Sequence, residues 1–326
     1  MAASLAGAGT PGRVGRVDRG ACLVLTAAGP VRAGVPRRLE TPPATGDWVA
    51  LVEGRVTVVA PRRGTIVRAD PSGVGAAQVL AANVDLILVV HGLDRPLRPG
   101  RIERSLVLAW EAGVEPVVVV TKTDIGPAGP VVDEVAAAAP GVAVHLTSAV
   151  TGAGLDGLVA ALDGHRTAAL LGESGAGKST LVNRLAGEEV MATGAVRPGD
   201  AKGRHTTTAR HLVPLPLGGV LLDTPGLRQL GLWSGEEGLD RAFADLEALA
   251  AGCRFRDCRH GGEPGCAVAA AVADGRIPAR RLAGFAKLQR ELEHQAGLVS
   301  EHERRERGRQ AQRLYRQVMG AKRRHR

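Results

Sequence analysis

Residues 172–179 have the composition and spacing of a loop that binds the phosphates of a nucleotide. The run Gly-Glu-Ser-Gly-Ala-Gly-Lys-Ser follows an apolar stretch and precedes a stretch typical of a helix, which is the strand–loop–helix context that this motif requires. Its glycines let backbone N–H groups point inward at phosphate oxygens, Lys178 can reach the outer phosphates, and Ser179 offers a hydroxyl to Mg²⁺. The predicted phosphate-binding residues are Gly172, Glu173, Ser174, Gly175, Ala176, Gly177, Lys178, Ser179 and Thr180.

The phosphate loop alone would accept ATP or GTP, and the tetrapeptide Thr-Lys-Thr-Asp at 121–124 indicates guanine. A carboxylate at Asp124 can accept hydrogen bonds from the N1–H and the exocyclic amino group of guanine, whereas adenine has no such pair of donors. This motif usually begins with Asn, and we expect Thr121 to weaken its link to the phosphate loop because the side-chain amide is lost. A Ser-Ala pair ending the next predicted strand matches the other guanine-contacting loop. The residues predicted to bind the base are Thr121, Lys122, Thr123, Asp124, Ser148 and Ala149.

Two further segments have the character of switches that respond to the γ-phosphate. Asp223-Thr-Pro-Gly226 ends an apolar run; Asp223 can hold Mg²⁺ through a water molecule, and Gly226 can offer an N–H group to the γ-phosphate. A Thr-rich run at 203–208 lies before it, and Thr207 is predicted to complete the Mg²⁺ shell when GTP is bound. Residues 191–210 are therefore predicted to be a switch segment.

The group that positions the attacking water is less clearly indicated. A water-orienting Gln often follows the Gly of this switch, but the chain has Leu227 there. A hydrophobic side chain cannot align water, so slow intrinsic turnover is expected unless another group takes that role. His205, beside the switch threonines, is the candidate catalytic residue. An exposed histidine on a mobile loop is the alternative interpretation.

Three cysteines and a histidine lie within fourteen residues, as Cys253-x4-Cys258-x-His260-x5-Cys266. Three thiolates and one imidazole are a standard tetrahedral shell for Zn²⁺, and four protein ligands indicate a structural rather than a catalytic ion. One structural zinc per chain is therefore predicted. Three arginines between the ligands predict a basic surface on this loop; they are Arg254, Arg256 and Arg259.

The order of these motifs is unusual, because the guanine-binding segments precede the phosphate loop. Ordinary GTPases have the phosphate loop first, then the switches, and the guanine motifs last. The same arrangement of strands results when the old chain ends are joined and new ends are opened at the surface. The sequence therefore predicts a circularly permuted domain whose second switch leads directly into the C-terminal region.

The elements that must position these residues are indicated by hydrophobic patterns. Alternating short segments predict a small all-β barrel, with strands at 21–26, 47–52 and 55–59. Continuous apolar runs predict strands buried on both faces of a parallel sheet, at 86–90, 117–120, 142–146 and 168–171. Helices are predicted between them at 101–112 and 131–139, and a hairpin joins 211–215 to 220–222. The last predicted helix has one apolar face, formed by Leu282, Phe285, Leu288 and Leu292.

Basic charge is concentrated at the two ends of the chain. Residues 304–326 contain ten Arg or Lys and one Glu, and residues 1–63 contain nine Arg and four acidic residues. Both ends are therefore predicted to contact a polyanion, while the middle is not. No run is long enough to span a membrane and no leader peptide is evident, so we expect a cytoplasmic protein with no membrane partner. The protein is also expected to be a monomer.

The permuted order, the β-rich N-terminal part and the run CRFRDCRHGGEPGCAV together resemble the ribosome small-subunit-dependent GTPase A (RsgA/YjeQ) family. The resemblance implies an OB-fold at 1–67, a permuted α/β P-loop GTPase domain at 75–234, and an α-helical zinc-binding domain at 235–303, followed by the basic tail. It also implies GTP hydrolysis with Mg²⁺, stimulated by the small (30S) ribosomal subunit late in its maturation, contact with rRNA, and a catalytic role for His205.

The sequence is also compatible with two alternative functions. The first is a non-catalytic rRNA-binding module whose nucleotide only stabilises the fold, which Leu227 favours and the intact Lys178 and Ser179 oppose. The second is a permuted GTPase of large-subunit assembly, which the zinc cluster and the β-rich N-terminal part oppose.

Overall fold

The computed structural model describes residues 5, 7–68, 78–191, 211–216, 218–223 and 236–297. Within these ranges the chain forms a barrel, a six-stranded sheet with flanking helices, and a C-terminal group of helices. No helix among the described residues is long and apolar enough to cross a membrane.

The N-terminal part has five strands, which are β1 (Thr10–Asp18), β2 (Ala21–Thr26), β3 (Gly29–Gly34), β4 (Trp48–Val52) and β5 (Arg55–Val59). They close into a barrel in the order β1-β2-β3-β5-β4, with β3 parallel to β5 and the other neighbours antiparallel. This arrangement fits the expected OB-fold. Cys22 lies in the barrel core, where burial raises the pKa of its thiol to about 11.

A short antiparallel pair, β6 (Ile66–Arg68) and β7 (Gln78–Ala81), follows the barrel. The six strands of the central sheet are β8 (Leu86–Gly92), β9 (Glu115–Thr121), β10 (Val144–Leu146), β11 (Thr167–Gly172), β12 (His211–Pro214) and β13 (Val220–Asp223). Their order is β10-β9-β8-β11-β13-β12, and only β12 runs antiparallel to its neighbour. The predicted strands and hairpin are present, and the strand that leads to the phosphate loop lies in the middle of the sheet.

Helices cover both faces of this sheet. They are α1 (Pro99–Glu111), α2 (Gly129–Ala138), α3 (Leu155–Ala161) and α4 (Lys178–Ala186). Alternate side chains of β8 enter different cores: Leu88 packs in the same core as residues of α3 and α4, whereas Val89 belongs to the core that includes α1 and α2. This two-sided burial explains the continuous apolar runs of the sequence.

The C-terminal helices are α5 (Glu236–Ala242), α6 (Ala244–Ala250), α7 (Ala267–Ala273) and α8 (residues 279–297). The predicted apolar face of α8 is a packing face, because Phe285, Leu288 and Leu292 are buried and Leu282 packs against them. The C-terminal helices share one continuous core with α1 and α2, so they pack on the same side of the sheet as these two helices.

A polar junction attaches the barrel to the amino ends of the central strands. Arg13 of β1 donates hydrogen bonds to Thr167 Oγ1 (2.7 Å) and to the carbonyl of Asn83 (3.1 Å). Asn83 Nδ2 donates to the carbonyl of Gly46 (3.0 Å). A Cβ atom on Gly46 would lie 2.1 Å from the carbonyl oxygen of Ala82, so this close approach requires glycine.

Candidate nucleotide and metal sites

The phosphate loop joins the end of β11 to the start of α4, as predicted. Gly172, Gly175 and Gly177 all have positive φ, at 152°, 74° and 84°. A Cβ atom on Gly172 would lie 2.3 Å from the carbonyl oxygen of Val90, so the loop can leave the sheet in this direction only with glycine. Lys178 Nζ donates to the carbonyls of Gly172 (2.9 Å) and Glu173 (2.6 Å), which positions the ammonium group inside the loop.

A second set of contacts holds the outside of the loop, and no motif of the sequence indicates it. Arg95, which follows β8, donates to the carbonyls of Ser174 (2.7 Å) and Gly175 (3.0 Å). Lys122 Nζ donates to Gly175 (2.8 Å) and to Asp94 (2.7 Å). Hydrogen bonds from Arg95 and Lys122 hold the pKa of the Asp94 carboxyl well below its ordinary value. Asp94 and Arg95 lie just beyond the carboxyl end of a parallel strand, and this position in the sequence is a signal for residues of a ligand site.

The expectation that Thr121 weakens the link to the phosphate loop is wrong. Its side chain is buried, and its hydroxyl donates to the carbonyl of Ala176 (2.7 Å) inside the loop. The carbonyl of His91 lies 3.2 Å from the same hydroxyl. Because the loop presents a carbonyl here, a single hydroxyl donor replaces the usual amide, and Thr121 connects the guanine motif to the phosphate loop.

Replacing Thr121 with valine tests this connection, since valine keeps the shape and removes the donor. Leaving the buried Ala176 carbonyl without its donor costs about 1–3 kcal/mol, so we expect GTP affinity to fall roughly 10-fold with the fold retained. Isothermal titration of the nucleotide-free protein with GDP and GTP measures this change. Thr121→Ser is the matched control and should bind as the natural protein does; equal affinity of the valine variant would contradict the role of the hydroxyl.

The two guanine-binding segments lie together at the carboxyl ends of β9 and β10. Ser148 Oγ donates to Asp124 Oδ1 (2.5 Å), and the backbone N–H of Thr123 donates to the carbonyl of Thr147 (3.3 Å). Ser148 is buried, and Lys122, just before the turn at Thr123–Ile125, has a left-handed backbone conformation with φ of 62°. The Asp124 carboxylate is therefore oriented by the neighbouring loop, which carries Ser148 and Ala149.

The predicted Mg²⁺ ligands lie at the same edge of the sheet as far as the structure describes them. Ser179 is in the first turn of α4, and its hydroxyl has no hydrogen bond with a described residue, so this hard oxygen donor suits Mg²⁺. Asp223 is the last residue of β13, which pairs in parallel with β11 and so ends beside the phosphate loop. His205, Thr207 and Gly226 lie outside the described residues.

The four predicted zinc ligands converge. Their ligand atoms all lie within 4.8 Å of one another. Cys253 Sγ is 3.9 Å from Cys266 Sγ, and His260 Nδ1 is 3.7 Å from Cys253 Sγ and 3.4 Å from Cys266 Sγ. Zn–S bonds of about 2.3 Å in a tetrahedron require S–S edges of about 3.8 Å. The donor set and its spacing fit a structural zinc ion, with Nδ1 as the histidine ligand.

Backbone groups and one carboxylate stabilise this loop. The N–H groups of Ala267 and Ala269 point at the sulfurs of Cys253 and Cys266, both at 3.3 Å, and such donors favour thiolates. Glu263 accepts from the backbone N–H groups of Gly261 (2.7 Å) and Arg259 (3.0 Å) and thereby closes the turn around His260. The loop presents three exposed arginines, which are Arg254, Arg256 and Arg259.

A buried arginine connects the C-terminal helices to α1. Arg281 of α8 is 1% exposed and pairs with Glu103 (3.1 Å), which is 2% exposed. It also forms two hydrogen bonds with the Asp245 carboxylate, at 2.7 and 3.0 Å. Its remaining donors reach the carbonyls of Ala138 and Ala242, and its guanidinium stacks on Phe243. This network fixes the zinc-binding helices on α1 and α2.

Fold and site together define a P-loop GTPase with circularly permuted motifs. The family model described as RsgA GTPase matches residues 59–233. The chain belongs to the RsgA GTPase family.

Similar proteins agree with this assignment. The chain is 51% identical over 295 residues to the small ribosomal subunit biogenesis GTPase RsgA of Streptomyces avermitilis, over 86% of this chain and 79% of that protein. It is 42% identical to RsgA 2 of Lactiplantibacillus plantarum, over 78% and 73% of the two chains. The crystal structure of YjeQ from Thermotoga maritima superposes with a TM-score of 0.66 at 25% sequence identity, and the match covers 87% of this chain and 98% of that chain. YloQ, described as a circularly permuted GTPase, shares the fold with a TM-score of 0.63 at 23% sequence identity, and the match covers 87% of this chain and 95% of that chain.

Proposed function

We propose that the protein binds the small ribosomal subunit during its late maturation and hydrolyses GTP there, with the subunit stimulating hydrolysis. The observation that carries this proposal is the contact between the guanine motif and the phosphate loop, through Thr121 and Lys122. A site in which base recognition and phosphate binding are coupled suits a nucleotide-dependent switch. Relatives of this chain are named small ribosomal subunit biogenesis GTPases, which supports the choice of partner.

In this proposal the protein is a cytoplasmic monomer whose basic surfaces contact rRNA phosphates. Within the nucleotide site, Lys178 and backbone N–H groups of 172–180 bind the phosphates, and Asp124 with Ser148 and Ala149 binds guanine. Ser179, Thr207 and Asp223 hold Mg²⁺, which neutralises charge on the phosphates when bound. Gly226 contacts the γ-phosphate, so hydrolysis would release the second switch, which leads directly into the C-terminal region.

Co-sedimentation with separated ribosomal subunits tests the proposal. We expect the protein to pellet with small subunits in the presence of a non-hydrolysable GTP analogue and to dissociate with GDP. Phosphate release measured with and without subunits should rise only with the small one. Binding to large subunits alone would favour the second alternative, and absence of turnover under every condition would favour a nucleotide that only stabilises the fold.

Replacing His205 with alanine should lower subunit-stimulated turnover by about 10²–10⁴-fold if this histidine acts in proton transfer or water positioning. GTP affinity should change by less than a factor of about three, because a catalytic group is not required for binding. Single-turnover hydrolysis on small subunits and equilibrium GTP titration give the two values. An equal loss of turnover and affinity would contradict a catalytic role, and His165→Ala, an exposed histidine outside the nucleotide site, is the control.

Deleting residues 304–326 removes a net charge of nine, with ten basic residues and one acidic residue. If several of these side chains contact rRNA phosphates, the slope of log affinity against log salt should become shallower by about 0.7–0.9 per lost contact. Small-subunit binding measured between about 50 and 300 mM KCl gives this slope. An unchanged slope would rule out a role of the tail in rRNA binding.

A further inference from the structure

A cleft of about 590 Å³ lies at the amino ends of the central strands, opposite the nucleotide site. Its floor contains Val84, just before β8, and Val114, just before β9. Three arginines line it, and each comes from a different part of the chain. They are Arg63, from the segment that leaves the barrel, Arg166, just before β11, and Arg241 of α5.

Two of these arginines have no acidic partner among the described residues. Arg63 and Arg241 are exposed, and neither forms an ion pair with a described carboxylate. The two carboxylates of the cleft are already engaged: Asp85 accepts from the N–H of Thr167 (2.8 Å), and Glu115 pairs with Arg166 (2.9 Å). The unpaired donors of the cleft are therefore cationic, which suits an anionic ligand.

The position of Arg241 limits the kind of anion. Its guanidinium carbon lies 3.8 Å from the centroid of the Trp110 ring, so the planar group is held against the wall of the cleft. A stacked guanidinium keeps its in-plane N–H donors for phosphate oxygens, and its outer face can stack on a nucleobase. A carboxylate side chain would use the donors and leave this face without a partner.

We propose that this cleft binds an unpaired nucleotide of RNA, with its phosphate between Arg63 and Arg241 and its base on the guanidinium of Arg241. The inference rests on the proposed rRNA contact and assigns it a surface remote from the nucleotide site. Because the barrel segment, the GTPase domain and the C-terminal helices each supply one arginine, RNA bound here holds these three parts in their present arrangement.

The test compares two variants of the full-length protein with equal loss of charge. The cleft variant is Arg63→Gln/Arg241→Gln, and the control is Arg276→Gln/Arg290→Gln, two exposed arginines that do not line the cleft. Small-subunit affinity of the cleft variant should fall at least about 10-fold at 0.1 M salt, with a salt slope shallower by about 0.7–0.9, because both arginines contact one phosphate. The control should lose less than about 3-fold. GTP affinity should be unchanged in both.

A second measurement uses the fluorescence of Trp110, which lies against the other face of the Arg241 guanidinium. Titration with a short single-stranded oligouridylate should quench fluorescence of the natural protein and not of a Trp110→Phe variant, and a poly-glutamate of equal charge should not. If the natural protein binds subunits and both variants bind with the same affinity and slope, the cleft assignment is wrong while the proposed function stands. Equal quenching by poly-glutamate would also overturn it, whereas failure of the natural protein to bind small subunits would contradict the proposed function itself.

Discussion

Replacing Arg281 with methionine is expected to lower the free energy of unfolding by about 3–5 kcal/mol, because it leaves one buried and one partly buried carboxylate without their cation. Glu103 is 2% exposed and cannot recover its hydration, and the carbonyls of Ala138 and Ala242 lose a donor. Urea denaturation of the GDP-bound protein measures the change. Arg276→Met, an exposed arginine, should cost less than about 0.5 kcal/mol, and a similarly small loss for Arg281→Met would contradict the network.

The same variant should depend on pH in a definite direction. Burial raises the pKa of Glu103 in the folded protein even with Arg281 present, and removing the cation raises it further. The folded state then binds more protons than the unfolded state above the ordinary glutamate pKa, so the stability of the variant decreases as pH rises through that window. Adding Glu103→Gln should remove most of this pH dependence and recover part of the lost stability.

Replacing Cys266 with serine should abolish zinc binding and unfold the loop between the first and last ligands. Structural zinc contributes about 10–16 kcal/mol in isolated zinc-finger peptides. Here the expected loss is smaller, because Val268 and Phe285 beside the site belong to a larger core that does not depend on the metal. Atomic emission should give one zinc per natural chain and none in the variant, and proteolysis should cleave the variant between 253 and 266.

The barrel cysteine supplies a control with the same chemistry. Cys22→Ala removes a buried thiol of the barrel core, which is distant in sequence from the zinc cluster. The variant should keep one zinc per chain even though the substitution creates a cavity in the barrel. A Cys266→Ser variant that retained zinc at full occupancy would contradict the assignment of this sulfur as a ligand.

Residues whose role is local could be predicted from the sequence. The phosphate loop is encoded by glycines that no other residue can replace, and the central strands by apolar runs that burial on two faces requires. The predicted end of β8 was two residues short, because His91 and Gly92 carry no apolar signal although both are buried. Strand β3 was missed since Pro30 and Arg32 break its alternation, and only pairing with β2 and β5 stabilises it.

Contacts between distant segments could not be predicted in the same way. The motif pattern compares Thr121 with an asparagine amide, but the effect of its hydroxyl depends on the Ala176 carbonyl, 55 residues away. Arg281 resembles any other arginine of an amphipathic helix until α1, α5 and α6 surround it. Arg95 and Arg241 likewise acquire a role only through the loop and the ring that they contact. Such roles depend on packing, which a sequence pattern does not contain.

The strand order of the central sheet also sets the sequence in which its halves are synthesised. Strands β8, β9 and β10 with α1 and α2 leave the translating ribosome first, and β11 follows about 75 residues after the end of β8. At a synthesis rate of about 5–20 residues per second, the edge of β8 that pairs with β11 stays unpaired for about 4–15 s. The base-binding half can thus fold while its inner edge is still unpaired, and addition of β11 to that edge creates the complete nucleotide pocket.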